Sequence, residues 1–140
     1  MGEKVTFASN GSTCEGYLAT PQTGSGPGIV LIQEWWGLVP HIEDVVDRFA
    51  AAGFVTLAPD LFHGVQTSEP DEAGKLMMGM AMDTAAKDIA GAAGYLAGRD
   101  DTTGPGVGTV GFCMGGSLAL WSATLAEQVV AAVGFYPAVP

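Results

Sequence analysis

The chain alternates between short apolar runs and stretches of helical spacing, and this rhythm predicts its elements. Residues 4–8 alternate polar and apolar and read as a strand. Asn10-Gly11 is the dipeptide of a tight hairpin, whose turn needs two left-handed residues. Residues 12–20 follow as a second strand, antiparallel to the first, with Cys14 inside it as a small packing residue. Residues 21–28, rich in glycine and proline, read as a surface turn. The run 29–33 (IVLIQ) predicts a buried strand. Pro40 suits the first turn of a helix; Ile42, Val45, Val46 and Phe49 then repeat at helical spacing, and Gly53 marks the stop.

Residues 54–57 predict the next buried strand, with a loop over 58–64 and an irregular polar stretch over 65–70. Two helices follow, over 71–82 and 84–97. The first carries Met77, Met78, Met80 and Met82, read as packing into the core, with a flexible lid as the alternative. Residues 99–106 read as a turn, 107–110 as a strand, 117–125 as a helix and 129–136 as a last apolar strand. Pro137 and Pro140 close the chain. Two antiparallel strands followed by β-α-β-α-β-α-β predict an α/β fold, a mostly parallel sheet with helices on both faces.

Composition sharpens this picture. Hydrophobic residues make up 48% of the chain, charged residues 14%, and the mean hydropathy is +0.30. That suits parallel strands buried on both faces. A chain of 140 residues is read as one domain, over 1–140. No stretch approaches the roughly 18 consecutive apolar residues of a membrane span. A net charge of −10, with five scattered basic residues, argues against nucleic acid and anionic membrane surfaces as partners. Cys14 and Cys113 form neither a disulfide framework nor a metal-ligand spacing. With no signal peptide in view, a reducing cytoplasm is the expected compartment.

The chemistry concentrates at Gly111-Phe112-Cys113-Met114-Gly115. Gly-x-Cys-x-Gly between a strand and a helix is the pattern of a nucleophile elbow, with cysteine in place of serine. Small flanking residues let strand and helix close around a strained turn that projects the nucleophile. The helix N-terminus then favours the thiolate, and the amide of Met114 is placed to donate to an oxyanion. The plainer alternative is a structural cysteine at a glycine-rich turn. Glu34, at the end of the strand 29–33, is the second candidate: a carboxylate close enough to the sulfur to influence its protonation, or else an exposed loop acid. Trp35 and Trp36 sit beside it at the strand edge where open α/β sheets bind ligands, and Trp36 is read as a pocket residue.

Other motifs are weaker. Gly106-Val107-Gly108-Thr109-Val110-Gly111 has dinucleotide-fingerprint spacing, but it overlaps its strand and lacks the acidic residue further on. A cysteine nucleophile needs a base, ordinarily a histidine held by a carboxylate. His41 and His63 read as surface or loop histidines, no histidine follows Cys113, and Glu127 is the only acid after it. No cofactor or metal is implied.

On these residues the chain resembles the dienelactone hydrolase family. The matching pieces are Gln33-Glu34-Trp35-Trp36-Gly37-Leu38 with Pro40-His41-Ile42-Glu43-Asp44, then Ala58-Pro59-Asp60-Leu61-Phe62, the Cys113 elbow, and Ala132-Val133-Gly134-Phe135-Tyr136. The resemblance implies an α/β-hydrolase fold and a Cys-His-Asp triad with Cys113 as nucleophile. It implies that Glu34 helps to generate the thiolate and that the amides of Trp35 and Met114 form the oxyanion hole. It also implies hydrolysis of an enol-lactone of the carboxymethylenebutenolide type through an acyl-cysteine.

Two departures shape the expectation. The family continues through two more strands that carry the triad aspartate and histidine, and these have no counterpart here. The stretch expected to hold a substrate-binding arginine reads Glu69-Pro70-Asp71-Glu72. The domain is therefore expected to be C-terminally incomplete, truncated after about the sixth strand. That strand should be an exposed apolar edge that invites a second chain or self-association. The expected function is a carboxylic ester hydrolase. The alternatives are a thioesterase or acyltransferase on the same fold, or a catalytically incomplete interaction module.

Overall fold

Asn10 (φ 52°) and Gly11 (φ 73°) both take left-handed backbone and close the hairpin between β1 (Glu3–Ser9) and β2 (Ser12–Ala19). The computed structural model describes residues 2–138 of the chain, so Pro140 lies outside the described residues. Four further strands follow: β3 (Gly26–Ile32), β4 (Val55–Pro59), β5 (Thr102–Phe112) and β6 (Val129–Phe135). They form one six-stranded sheet in the order β1-β2-β4-β3-β5-β6. β2 is antiparallel to both its neighbours, and β4, β3, β5 and β6 run parallel. The helices are α1 (Pro40–Ala51), α2 (Pro70–Gly79), α3 (Met82–Ala97) and α4 (Met114–Leu125).

The central strands β3 and β4 are buried on both faces, and alternate residues of β3 serve two cores. Val30 and Ile32 of β3 join Leu57, Ile89, Leu96 and Leu118 on the face covered by α3 and α4. Leu31, between them, joins Ile42, Val46 and Ala50 of α1 on the other face. All of these side chains are at most 5% exposed. The α1 face is covered only in part. Towards β5 and β6 the rings of Phe112 and Phe135 stack 5.3 Å apart, and Phe135 is 48% exposed.

Some element bounds differ from the sequence expectation. β3 starts at Gly26, whose N–H donates to Asp101 O at 3.0 Å, so the turn shrinks to its first residues, where Gly24 N–H bonds Pro21 O. The expected turn over 99–106 is mostly strand: β5 begins at Thr102. Its glycines form an irregularity in which the β3 register jumps from Pro27↔Thr103 to Gly28↔Val107. α4 starts at Met114, three residues earlier than expected, because Gly115 and Gly116 have poor helix propensity and hide its first turn. The methionines do not fill the core. α2 buries only Ala73 and leaves Met78 71% exposed, while Met80 and Met82 pack against the core's margin. Among the described residues, no helix is long and apolar enough to cross a membrane.

Candidate active site

Cys113 stands between β5 and α4 with φ 60° and ψ −124°, a backbone conformation that a residue with a Cβ rarely adopts. Such a conformation costs on the order of 1–3 kcal/mol and persists only where its surroundings impose it. The surroundings here are β6 and the glycines. Cys113 N–H donates to Phe135 O at 3.1 Å, and Cys113 O accepts from Gly116 N and Ala138 N at 2.9 and 3.0 Å. Thr109 of β5 donates its hydroxyl to Ala119 O of α4 at 2.9 Å, which ties the helix to the strand it leaves.

The glycines act through close approach. A Cβ on Gly111 would lie 1.9 Å from Gly115 O, and one on Gly115 would lie 2.3 Å from Gln33 O and 2.5 Å from Ile32 O. The first turn of α4 therefore rests directly on the end of β3. Glu34, the next residue along that chain, is brought beside the elbow by this contact. Gly116 and Gly134 play the same part towards β6: a Cβ on either would come within 2.8 Å of a carbonyl across the gap. No side chain caps α4, so its leading amides, Met114 among them, are left to whatever occupies the site. Met114 itself is buried.

Tyr136 is the site residue that sequence reasoning missed. It follows β6 with φ 33° and donates its hydroxyl to Glu34 Oε2 at 2.6 Å. Its phenol is pushed up to about 12, first by desolvation, then by the Glu34 carboxylate and by Cys113 nearby. The signals in the sequence were its place at the end of a strand parallel to the elbow strand and its part in the matching piece Ala132-Val133-Gly134-Phe135-Tyr136, neither of which gave it a role. A cavity of about 540 Å³ opens between α1 and this corner, with Glu34, His41, Phe112, Phe135 and Tyr136 among its walls.

The two tryptophans touch each other but face different surroundings. Trp35 and Trp36 meet edge to face, with centroids 5.3 Å apart. Trp35 turns towards α2, where a Cβ on Gly74 would lie 3.9 Å from its ring. Trp36 borders a separate hollow of about 270 Å³ with Val39, Thr67 and Ser68, not the cavity that Glu34 shares. His41 is exposed at the start of α1, and His63 is engaged with Asp88 at 2.8 Å. The two cysteines differ sharply. Cys14 is 1% exposed, and burial together with Asp88 and Asp60 pushes its thiol up to about 12. Cys113 is half-buried, and both thiols are free.

Comparison with known proteins gives this geometry its context. Protein usf of Aquifex pyrophilus is 41% identical over 143 residues, covering 97% of this chain and 62% of that protein. Carboxymethylenebutenolidase 1 of Cupriavidus pinatubonensis is 32% identical over 127 residues, covering 84% of this chain and 53% of that protein. A crystal structure from Klebsiella pneumoniae superimposes with a TM-score of 0.85 at 26% identity, over 98% of this chain and 60% of the other. A dienelactone hydrolase-like promiscuous phosphotriesterase from metagenomic libraries gives a TM-score of 0.82 at 26% identity, over 98% and 59%. The chain thus spans about three-fifths or less of the length of these relatives. The chain shares the α/β-hydrolase fold with these two solved structures, and the sequence model of one family matches residues 14–140: the chain belongs to the dienelactone hydrolase family.

Proposed function

We propose that this chain carries the nucleophile half of a carboxylic ester hydrolase, which opens an enol-lactone or related small ester through an acyl group on Cys113. The observation that carries the reading is the strained Cys113, fixed at φ 60° at the uncapped N-terminus of α4. The positive end of the helix dipole points there, which suits negative charge that develops during attack. In the proposed step the Cys113 sulfur attacks the carbonyl carbon. The carbonyl oxygen gains charge facing the amides of Met114 and Trp35, and the C–O bond to the leaving alcohol or enol breaks. The Cys113 proton passes first to Glu34 and finally to the leaving oxygen. Water then cleaves the thioester, and this second step needs a base. The carboxymethylenebutenolidase name of a relative supports the lactone class.

The test is intact-protein mass spectrometry after mixing the chain with an activated aryl ester, with Cys113→Ala alongside. The expected result is stoichiometric acylation of Cys113 with fast release of phenol and slow further turnover. Acylation of Cys14, or phenol release unchanged in Cys113→Ala, would overturn the reading.

A second feature supports a larger assembly around this half-site. β6 is an edge strand, and Leu125 of α4 with Val130, Val133 and Phe135 of β6 are each 48% to 59% exposed. We infer that further polypeptide, or a second copy of the chain, covers this edge in the working enzyme. A compartment that keeps both cysteines reduced, such as the cytoplasm, fits the free thiols.

A further inference from the structure

Cys14 lies in β2, His63 in the loop after β4 and Asp88 in α3, yet the donor atoms of all three lie within 4.8 Å of one another. They belong to none of the chemistry assigned to Cys113. We propose that they form a binding site for a divalent transition metal of the zinc class, with Cys14 Sγ, His63 Nε2 and an Asp88 carboxylate oxygen as ligands.

The donor set is a thiolate, an imidazole and a carboxylate, the combination that zinc prefers over harder cations. Zinc–ligand bonds of about 2.0–2.3 Å in a tetrahedron put donor atoms roughly 3.3–3.7 Å apart. The present separations need only small side-chain movements to reach that. His63 Nε2 and Asp88 Oδ2 now stand 2.8 Å apart and would open slightly around the ion.

Each ligand is held from behind. Asp88 is 2% exposed, and its other oxygen accepts the Ser9 hydroxyl. His63 has φ 50°, and its loop is pinned by the Asp60 carboxylate, which accepts from Phe62 N and Gly64 N at 3.2 and 2.8 Å. Gln33 Oε1 adds a bond from Leu61 N at 3.0 Å. The brace holds a left-handed histidine with its ring turned towards a buried acid and a buried thiol. Hydrogen bonding within the cluster accounts for Asp88 but not for the sulfur, whose partners among the described residues are the carbonyls of Glu15 and Asp60 at 3.4 and 3.7 Å.

Cys14 is too enclosed to attack a substrate, whereas a bare ion fits. The His63 side chain is 49% exposed and borders a cavity of about 310 Å³ against α2 and α3, which gives the ion a route and leaves a coordination position open to water. On binding, the Cys14 thiol proton is released to solvent, and the His63 ring proton that faces the Asp88 carboxylate leaves Nε2, with Nδ1 taking one from solvent, so that Nε2 is free to coordinate. The thiolate and carboxylate then cancel the two positive charges of the ion, whose oxidation state is unchanged. The ligands are far apart in sequence, which is why no metal spacing is visible there.

The test titrates the 140-residue chain with Co²⁺ in the presence of a phosphine reductant and records the thiolate-to-cobalt charge-transfer absorption. The expected result is a band that saturates stoichiometrically, persists in Cys113→Ala, is bleached by Zn²⁺, and is absent in Cys14→Ser and in His63→Gln. His63→Gln alters a half-exposed loop side chain, so it serves where Cys14→Ser fails to fold. Ser9→Ala, which frees the Asp88 carboxylate, should weaken the affinity about tenfold. Absence of the band, its loss in Cys113→Ala, or its survival in His63→Gln would overturn the proposal.

Discussion

Tyr136 donates its hydroxyl to Glu34 across 2.6 Å, although 102 residues separate them. The bond joins the end of β6 to the end of β3 over the elbow between them in the sheet. Since the phenol is pushed up to about 12, it keeps its proton and stays a donor throughout the neutral range. The Glu34 carboxylate thereby has a fixed hydrogen-bond partner.

Replacing Tyr136 with Phe removes that donor without changing the ring. Glu34 then loses its hydrogen-bond partner, and the group that both Glu34 and Cys113 act on is gone. The rate of Cys113 alkylation at a fixed pH should fall in Tyr136→Phe. An unchanged rate would show that Tyr136 does not act on the sulfur. The stability effect should stay under about 1 kcal/mol, because Tyr136 is 63% exposed and solvent screens the pair. Its pH dependence has a definite sign. The folded value lies above the ordinary 10.0, so the contribution is complete below pH 10 and is lost as the pH rises through about 12. The difference in urea midpoint between wild type and Tyr136→Phe should vanish across that window.

How much of this was legible in the sequence follows from how local each signal is. The hairpin at Asn10-Gly11, the α1 start at Pro40 and the elbow at Cys113 depend on neighbouring residues, and all appear where the pattern puts them. The start of β5 was hidden because glycines at 104 and 106 read as a turn, whereas Thr102 and Thr103 before them pair with β3 and the glycines fall in the register jump that follows. Tyr136 was hidden for a related reason. Its partner Glu34 is distant in the chain, and only the strand order β3-β5-β6 brings the two ends together. The Cys14, His63 and Asp88 cluster is still less visible, since it depends on three elements meeting at once.

The glycines of the elbow should be far less tolerant than those elsewhere. Gly115→Ala places a Cβ 2.3 Å from Gln33 O, a backbone atom that cannot swing aside. Relief requires α4 to move off β3, so the expected loss is about 3 kcal/mol or more, together with loss of Cys113 reactivity. Gly94→Ala is the contrasting case. Nothing lies within 4 Å of its added methyl, and the residue is inside α3. That substitution should raise stability by about 0.5–1 kcal/mol through helix propensity and reduced chain entropy. Urea unfolding of the two variants checks both signs.

The two cysteines should separate in a labelling experiment. Cys14 is 1% exposed, with its thiol pushed up to about 12 by burial and by Asp88 and Asp60. Iodoacetamide at mildly alkaline pH should therefore modify Cys113 alone in the folded chain and both residues in urea. Peptide mass mapping reads the result. Rapid modification of Cys14 under native conditions would mean that β2 opens locally, far below the global unfolding energy.

The exposed edge makes its own prediction. Val133 and Phe135, two residues apart on one face of β6, are 51% and 48% exposed, and beyond them the sheet has no neighbour among the described residues. Unpaired N–H and C=O groups beside apolar side chains form a template for another strand. Sedimentation of the chain should show association that grows with concentration. Val133→Lys sets a charge on that edge, a device that blocks strand addition. It should return the chain towards monomer while changing stability by no more than about 0.5 kcal/mol, since the side chain is half in solvent and touches no special feature. A wild-type chain that stays monomeric at high concentration would argue that β6 does not recruit a further strand. In that case the completion of the half-site would have to come through the cavity side, between α1 and Phe112, rather than through the edge.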